Sequence, residues 1–141
     1  MTTVRDILEA KGRQVWSIEP GATVFDALQL MAEKEIGALI VIDGELLVGV
    51  VSERDYARKV VLLGRASPTT AVKEIMTDPV CTHLEQSVQQ CMGLVTEKRV
   101  RHLPVVEGGK IVGLISIGDL VKSIIDDQKF VIEQLEHYIT S

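Results

Sequence analysis

The sequence predicts an α+β fold in which two tandem β-α-β-β-α repeats pack sheet to sheet about a pseudo-twofold axis. Three observations carry that expectation. Gly49-Val50-Val51-Ser52-Glu53-Arg54-Asp55 returns as Gly113-Leu114-Ile115-Ser116-Ile117-Gly118-Asp119, and 116 − 52 and 119 − 55 both give 64. The same shift carries Glu33-Lys34 onto Glu97-Lys98, and Leu39, Val41, Gly44 and Val48 onto Leu103, Val105, Gly108 and Val112. Helical spacing and short continuous apolar runs follow one another in the same order in both halves. A unit with one small sheet and helices on one side cannot bury both faces alone, so two such units pair.

The elements follow in order. Thr3-Val4-Arg5-Asp6 opens a short helix with capping-box spacing, and Gly12 ends it. Residues 15–18 read as a strand containing Trp16, with Pro20-Gly21 as its turn. After a cap at Thr23, Val24, Ala27, Leu28 and Met31 recur on one helical face. Residues 38–42 form a buried strand, Asp43-Gly44 a tight turn, and residues 46–51 the returning strand. Ser52 starts a helix reaching about Leu63, where Gly64 supplies a left-handed stop. Arg65-Ala66-Ser67-Pro68 links to the second repeat.

There Val80-Cys81-Thr82 is the first strand, and Ser87 caps a helix whose face is Val88, Cys91, Met92 and Val95. Residues 103–106 and 110–115 make the hairpin, turning at Gly108-Gly109. The last helix runs on to Ile139, with Leu120, Ile124, Val131, Leu135 and Tyr138 on one stripe. That stripe covers its own core or pairs with a second copy. The expected division is residues 1–66 for the first repeat with its N-terminal helix, 67–126 for the second, and 127–141 for a helical extension.

Composition excludes several classes. With 141 residues, 46% hydrophobic and 25% charged, the chain is a packed globular protein. A formal net charge of −5 argues against a binder of nucleic-acid backbones, which needs a basic face. The start lacks the apolar core of a signal peptide and no run approaches about 18 apolar residues, so we expect a cytoplasmic protein without a membrane partner. Cys81 and Cys91 are too few for a disulfide framework or zinc knuckle, and Cys91 reads as a small buried hydrophobe. His83, His102 and His137 show no ligand spacing, so no metal is expected.

The repeated Ser-x-x-Asp at a strand-to-helix junction has two readings. It is a capping box, with the serine capping the helix and the aspartate returning the bond. It is also a polar site, where Gly49 or Gly113 lets a ligand approach the backbone and the helix N-terminus favours a phosphate. Both hold at once if the serine caps the empty protein and still faces a ligand.

The segments GVVSERD and GLISIGD closing each hairpin, with RHLPVV opening the second, resemble a CBS-domain pair, also called a Bateman module. The resemblance covers nearly the whole chain except the final helical stretch. It implies a stand-alone, non-catalytic regulatory module that binds an adenosine derivative in the inter-repeat cleft. AMP is the first expectation, with ATP or NAD(H) as alternatives, and no cofactor is required. By the same resemblance Asp55 and Asp119 hold ribose hydroxyls, and Ser52 and Ser116 approach ribose or phosphate. Arg101 and His102 meet the phosphate, and Ile18 and Thr82 flank the adenine. The first repeat has Gly37 and Ala38 at the positions of Arg101 and His102, which makes the two sites unequal, and Arg54 could supply its phosphate contact. A homodimer and an unidentified effector protein are implied. The competing reading is a structural or protein-interaction module with no obligate ligand. An enzyme finds no nucleophile with a base, metal spacing or Walker loop in the sequence.

Overall fold

The computed structural model describes residues 2–140. In chain order the elements are α1 (Val4–Lys11), β1 (Ser17–Ile18), α2 (Val24–Lys34), β2 (Ala38–Asp43), β3 (Leu46–Ser52), α3 (Glu53–Tyr56), α4 (Val88–Lys98), β4 (His102–Glu107), β5 (Lys110–Ser116) and α5 (Ile117–Thr140). They form two compact units, so the α+β class holds. One unit is Gln14–Pro79; the other joins the N-terminal segment through Arg13 to the chain from Val80 onward. No helix among the described residues is long and apolar enough to cross a membrane.

In the 14–79 unit, β1 runs parallel to β2 and β2 antiparallel to β3, with Ile18 opposite Val41 and Ala38 opposite Ser52. The Thr23 hydroxyl accepts the Asp26 amide at 3.1 Å and starts α2. Its buried Val24, Ala27 and Met31 pack with Leu39, Val41 and Val51 in one core. The first strand is shorter than the expected residues 15–18. Trp16 lies outside it, although its carbonyl still accepts the Ile40 amide at 3.2 Å. The helix from Ser52 changes character after one turn. Residues Ala57–Val61 widen into a π-type turn before Gly64, at φ 70, stops the chain.

The other unit has a two-stranded sheet, β4 antiparallel to β5, with His102 opposite Ser116. The strand expected at 80–82 reduces to one parallel bridge, Thr82 to Val105. The Thr82 hydroxyl turns inward to Gln86 and Cys91, and the chain turns at residues 84–85 on its way to α4, which leaves no length for a strand. Cys91 is buried, as its helical face implied. The early part of α5 covers this core, with Leu120 buried and Ile117 and Ile124 packed against it. Beyond Ile125 the same helix leaves Val131, Leu135 and Tyr138 exposed.

The N-terminal helix does not pack with the repeat it precedes. Val4, Ile7 and Leu8 fill the core of the second repeat beside Leu103, Val105 and Ile115. The segment before the second repeat does the reciprocal: Val72 and Ile75 enter the core of the first. The backbone bonds correspond. The Val4 amide donates to the Gln86 carbonyl at 2.9 Å and the Val88 amide to that of Thr2 at 3.1 Å. The Val72 amide donates to Ala22 and the Val24 amide to Thr70, both at 2.8 Å. Thr3 pairs with Ser87 and Ala71 with Thr23, and 71 − 3 gives 68 where 87 − 23 gives 64. The leading segments therefore repeat with a spacing four residues longer than the rest.

This exchange explains the two motif glycines, which the sequence alone reads as room for a ligand. A Cβ on Gly113 would lie 2.8 Å from both Cδ atoms of buried Leu8, and one on Gly49 would lie 2.7 Å from Met76 Sδ and 3.0 Å from the Thr77 carbonyl oxygen. The space goes to the leading segment. Gly49→Ala should therefore cost about 1–3 kcal/mol, the usual penalty for overpacking. Urea unfolding checks this, and an unchanged midpoint would show that the close approach constrains nothing.

Candidate functional site

Each Ser-x-x-Asp begins at the last residue of a hairpin strand and ends in the first turn of the next helix, so sheet and helix together fix its geometry. Around the first copy, the Asp55 Oδ2 accepts the Ser52 amide at 3.0 Å and the Ser52 hydroxyl at 3.1 Å, while Ser52 Oγ accepts the Asp55 amide at 3.2 Å. Its Oδ1 accepts the Thr77 hydroxyl at 3.1 Å and lies 3.4 Å from Lys59 Nζ. A carboxylate offers about four acceptor positions, and here each oxygen meets two donor groups. Asp55 is only 9% exposed.

The second copy is held differently. Asp119 Oδ2 accepts the Ser116 amide at 2.8 Å and Lys11 Nζ at 2.7 Å, and Ser116 Oγ accepts the Asp119 amide at 3.2 Å. Both of these bonds to the carboxylate fall on Oδ2. Lys11 Nζ also donates to the Leu114 carbonyl at 3.0 Å. Leu114 corresponds to Val50 under the 64-residue shift, and the Val50 carbonyl accepts the Thr77 amide at 2.8 Å. Lys11 thus takes, in this unit, the two bonds that the amide and hydroxyl of Thr77 make in the other. Burial pushes the Asp119 pKa up, but the Lys11 ammonium and the Ser116 amide outweigh it and hold the carboxyl below its ordinary value.

The residues before β2 and β4 stand beside these junctions. The Glu53 amide donates to the Gly37 carbonyl at 3.1 Å and the Ile117 amide to that of Arg101 at 2.9 Å. Ala38 lies opposite Ser52 and His102 opposite Ser116. The structure thus gathers Gly37, Ala38, Ser52 and Asp55 in one unit and Arg101, His102, Ser116 and Asp119 in the other. Arg54 is exposed on α3, and Ile18 sits half-buried in β1. Thr82 is different: it is buried, its hydroxyl is bound to Gln86, and its amide and carbonyl pair with Pro104 and Val106. It ties its own unit together.

Sequence reasoning missed Lys11, because α1 lies outside the 64-residue register. A cleft of about 280 Å³ between α1 and α5 reaches Lys11 and Asp119, with Asp6, Lys122, Asp126 and Asp127 also in its walls. Among the described residues no group of three or more His, Cys, Asp or Glu side chains could hold a metal ion.

The sign of the Asp119 shift gives a test. A carboxyl whose folded-state pKa is depressed stabilises the fold above its unfolded value, near 3.9, and loses that contribution as pH falls through the folded value. Lys11→Met should raise the Asp119 pKa and move this loss to higher pH. Carboxyl-carbon NMR titration of both proteins measures it, and superimposable curves would remove Lys11 as the cause.

Comparisons with known proteins agree with these motifs. The CBS domain family model matches residues 4–62 and 72–126. The mitochondrial CBS domain-containing protein CBSX3 of Arabidopsis thaliana is 34% identical over 149 residues, covering 98% of this chain and 72% of its own length. A solved CBS-domain protein from Burkholderia ambifaria shares 56% identity at a TM-score of 0.84, covering 90% of this chain and 96% of that one. The CBS domain pair of protein MJ0100, solved with 5′-methylthioadenosine and S-adenosylmethionine, superimposes with a TM-score of 0.79 at 21% identity, covering 90% of this chain and 98% of that one. The last is a likeness of fold.

Proposed function

Since this chain belongs to the CBS-domain family, as a pair of repeats of a regulatory module, we propose that it binds an adenosine-containing ligand and signals the binding to a partner protein. The observation that supports this most is the β5–α5 junction. There a carboxylate held ionised, Asp119, stands three residues from Ser116, whose strand partner His102 follows Arg101. An ionised carboxylate accepts from vicinal ribose hydroxyls, and a guanidinium with an imidazole suits a phosphate. AMP satisfies both; ATP and NAD(H) share the same adenosine. The ligand changes the partner's view of the protein only as far as its affinities for two states differ. We assign no catalytic step, and the site of action we propose is the cytoplasm.

A second reading is a protein-interaction module without an obligate ligand. It is favoured by the late part of α5, where Val131, Ile132, Leu135 and Ile139 are exposed on one helix. In both readings we propose that this face joins two copies in a homodimer. Leu135→Asp should then lower the mass measured by light scattering from that of a dimer to that of a single chain. A wild-type protein of single-chain mass at tens of micromolar would exclude self-association.

A thermal-shift screen with AMP, ATP, NADH and S-adenosylmethionine separates the readings. A ligand at about 100 times its dissociation constant adds roughly 2.7 kcal/mol, which raises the melting temperature of a chain this size by several degrees. No shift with any of the four would leave the interaction module as the function.

A further inference from the structure

We propose that the two Ser-x-x-Asp copies have divided their roles, so that the chain holds one nucleotide, on Asp119, while Asp55 is a structural pin. This rests on the nucleotide reading above and deepens it.

The first support is hydrogen-bond capacity. Asp55 takes hydrogen bonds on Oδ2 from Ser52 and on Oδ1 from Thr77, with Lys59 Nζ 3.4 Å away as an ion pair, and it is buried. A ribose could reach that carboxylate only by displacing bonds already made, leaving the Thr77 hydroxyl or the Ser52 groups unpaired, which is costly in a buried setting. On Asp119 the bonds from Lys11 and the Ser116 amide both fall on Oδ2, and its side chain is 23% exposed where that of Asp55 is 12%.

The second support is what holds each carboxylate. Thr77 is a short side chain whose backbone is itself paired to Val50 in both directions, at 2.8 and 2.9 Å. It cannot withdraw without breaking that bridge. Lys11 reaches Asp119 through a long side chain that is 40% exposed. An ammonium has three N–H donors, of which two are bound to Asp119 and Leu114. Lys11 is therefore a positioning residue: it keeps Asp119 ionised and aimed while yielding to a ligand.

The third support is charge at the position that should meet a phosphate. In the first unit Gly37 has no side chain, and Glu53 Oε1 lies 3.6 Å from where its Cβ would be. A carboxylate there repels a phosphate. Under the same shift Arg101 replaces Gly37, Ile117 replaces Glu53 and Gly118 replaces Arg54, so the second unit loses the carboxylate and gains a guanidinium on the strand side. The phosphate belongs on the Arg101 side of Asp119 and not in the α1–α5 cleft, where Asp6, Asp119, Asp126 and Asp127 outnumber Lys11 and Lys122.

Calorimetric titration of the full chain with AMP tests the division. The expected wild-type stoichiometry is one AMP per chain. Asp119→Asn should weaken AMP at least about tenfold, the scale of a lost charged hydrogen bond. Lys11→Met should weaken it about two- to fivefold, the scale of a part-exposed ion pair, and Lys11→Arg should restore it. Asp55→Asn should lower the melting temperature while keeping one AMP site of wild-type affinity. If that variant does not fold, Thr77→Val, which removes a single bond to Asp55, carries the same expectation. Two AMP per chain with one lost in Asp55→Asn or Thr77→Val would overturn the proposal, as would wild-type affinity in Asp119→Asn. Absence of any AMP heat overturns it as well; the nucleotide reading falls with it only if ATP, NADH and S-adenosylmethionine also fail to bind.

Discussion

Leu8 seated over Gly113, and Met76 with the Thr77 carbonyl over Gly49, close each core by bringing a leading segment onto the returning strand of a hairpin. Any side chain at those glycines would hold the segment off, and with it the apolar residues that seal the unit. The same approach puts Lys11 and Thr77 beside the carboxylates at the strand-to-helix junctions. Core packing and the polar site are thus consequences of one contact. A change that loosens the first displaces the donors of the second.

Around that contact the two units solve one problem with different chemistry. A carboxylate at the start of a helix needs partners for its oxygens once it is partly withdrawn from water. Asp55 finds them all nearby and becomes part of the interior. Asp119 finds Ser116 and one long lysine, whose side-chain entropy on ordering is high where that of threonine is low. The helix caps are the same in both, worth about 1 kcal/mol each, so capping accounts for what the copies share. It does not account for where they differ.

Local features were legible in the sequence because local chemistry determines them. The hairpins around Gly44 and around Gly108-Gly109, the caps at Thr23 and Ser87, and the burial of Cys91 all follow from residues within a few positions of one another. The unbroken length of α5 was legible too, since its apolar stripe never lapses. What stayed hidden was non-local. The 64-residue register is so regular that it conceals the leading segments, which repeat at 68, and so it does not point to Lys11. Thr82 looked like one residue of a strand, but its inward hydroxyl bonds to Gln86 and Cys91 could only be seen once α4 was in place. The motif glycines mark a close approach that the sequence does show, and in the fold the leading segments fill the space beside them.

The exchange of leading segments also makes the two halves of the chain interdependent as genetic and chemical objects. A fragment ending near Arg65 would carry α1 without the sheet it covers and would lack Val72 and Ile75 of its own core. Neither half is a self-sufficient module that recombination could lift into another protein. Cleavage at the exposed Arg65-Ala66 connection would instead leave each piece retaining a segment buried in the other's core, so the nicked chain stays together as a complementing pair.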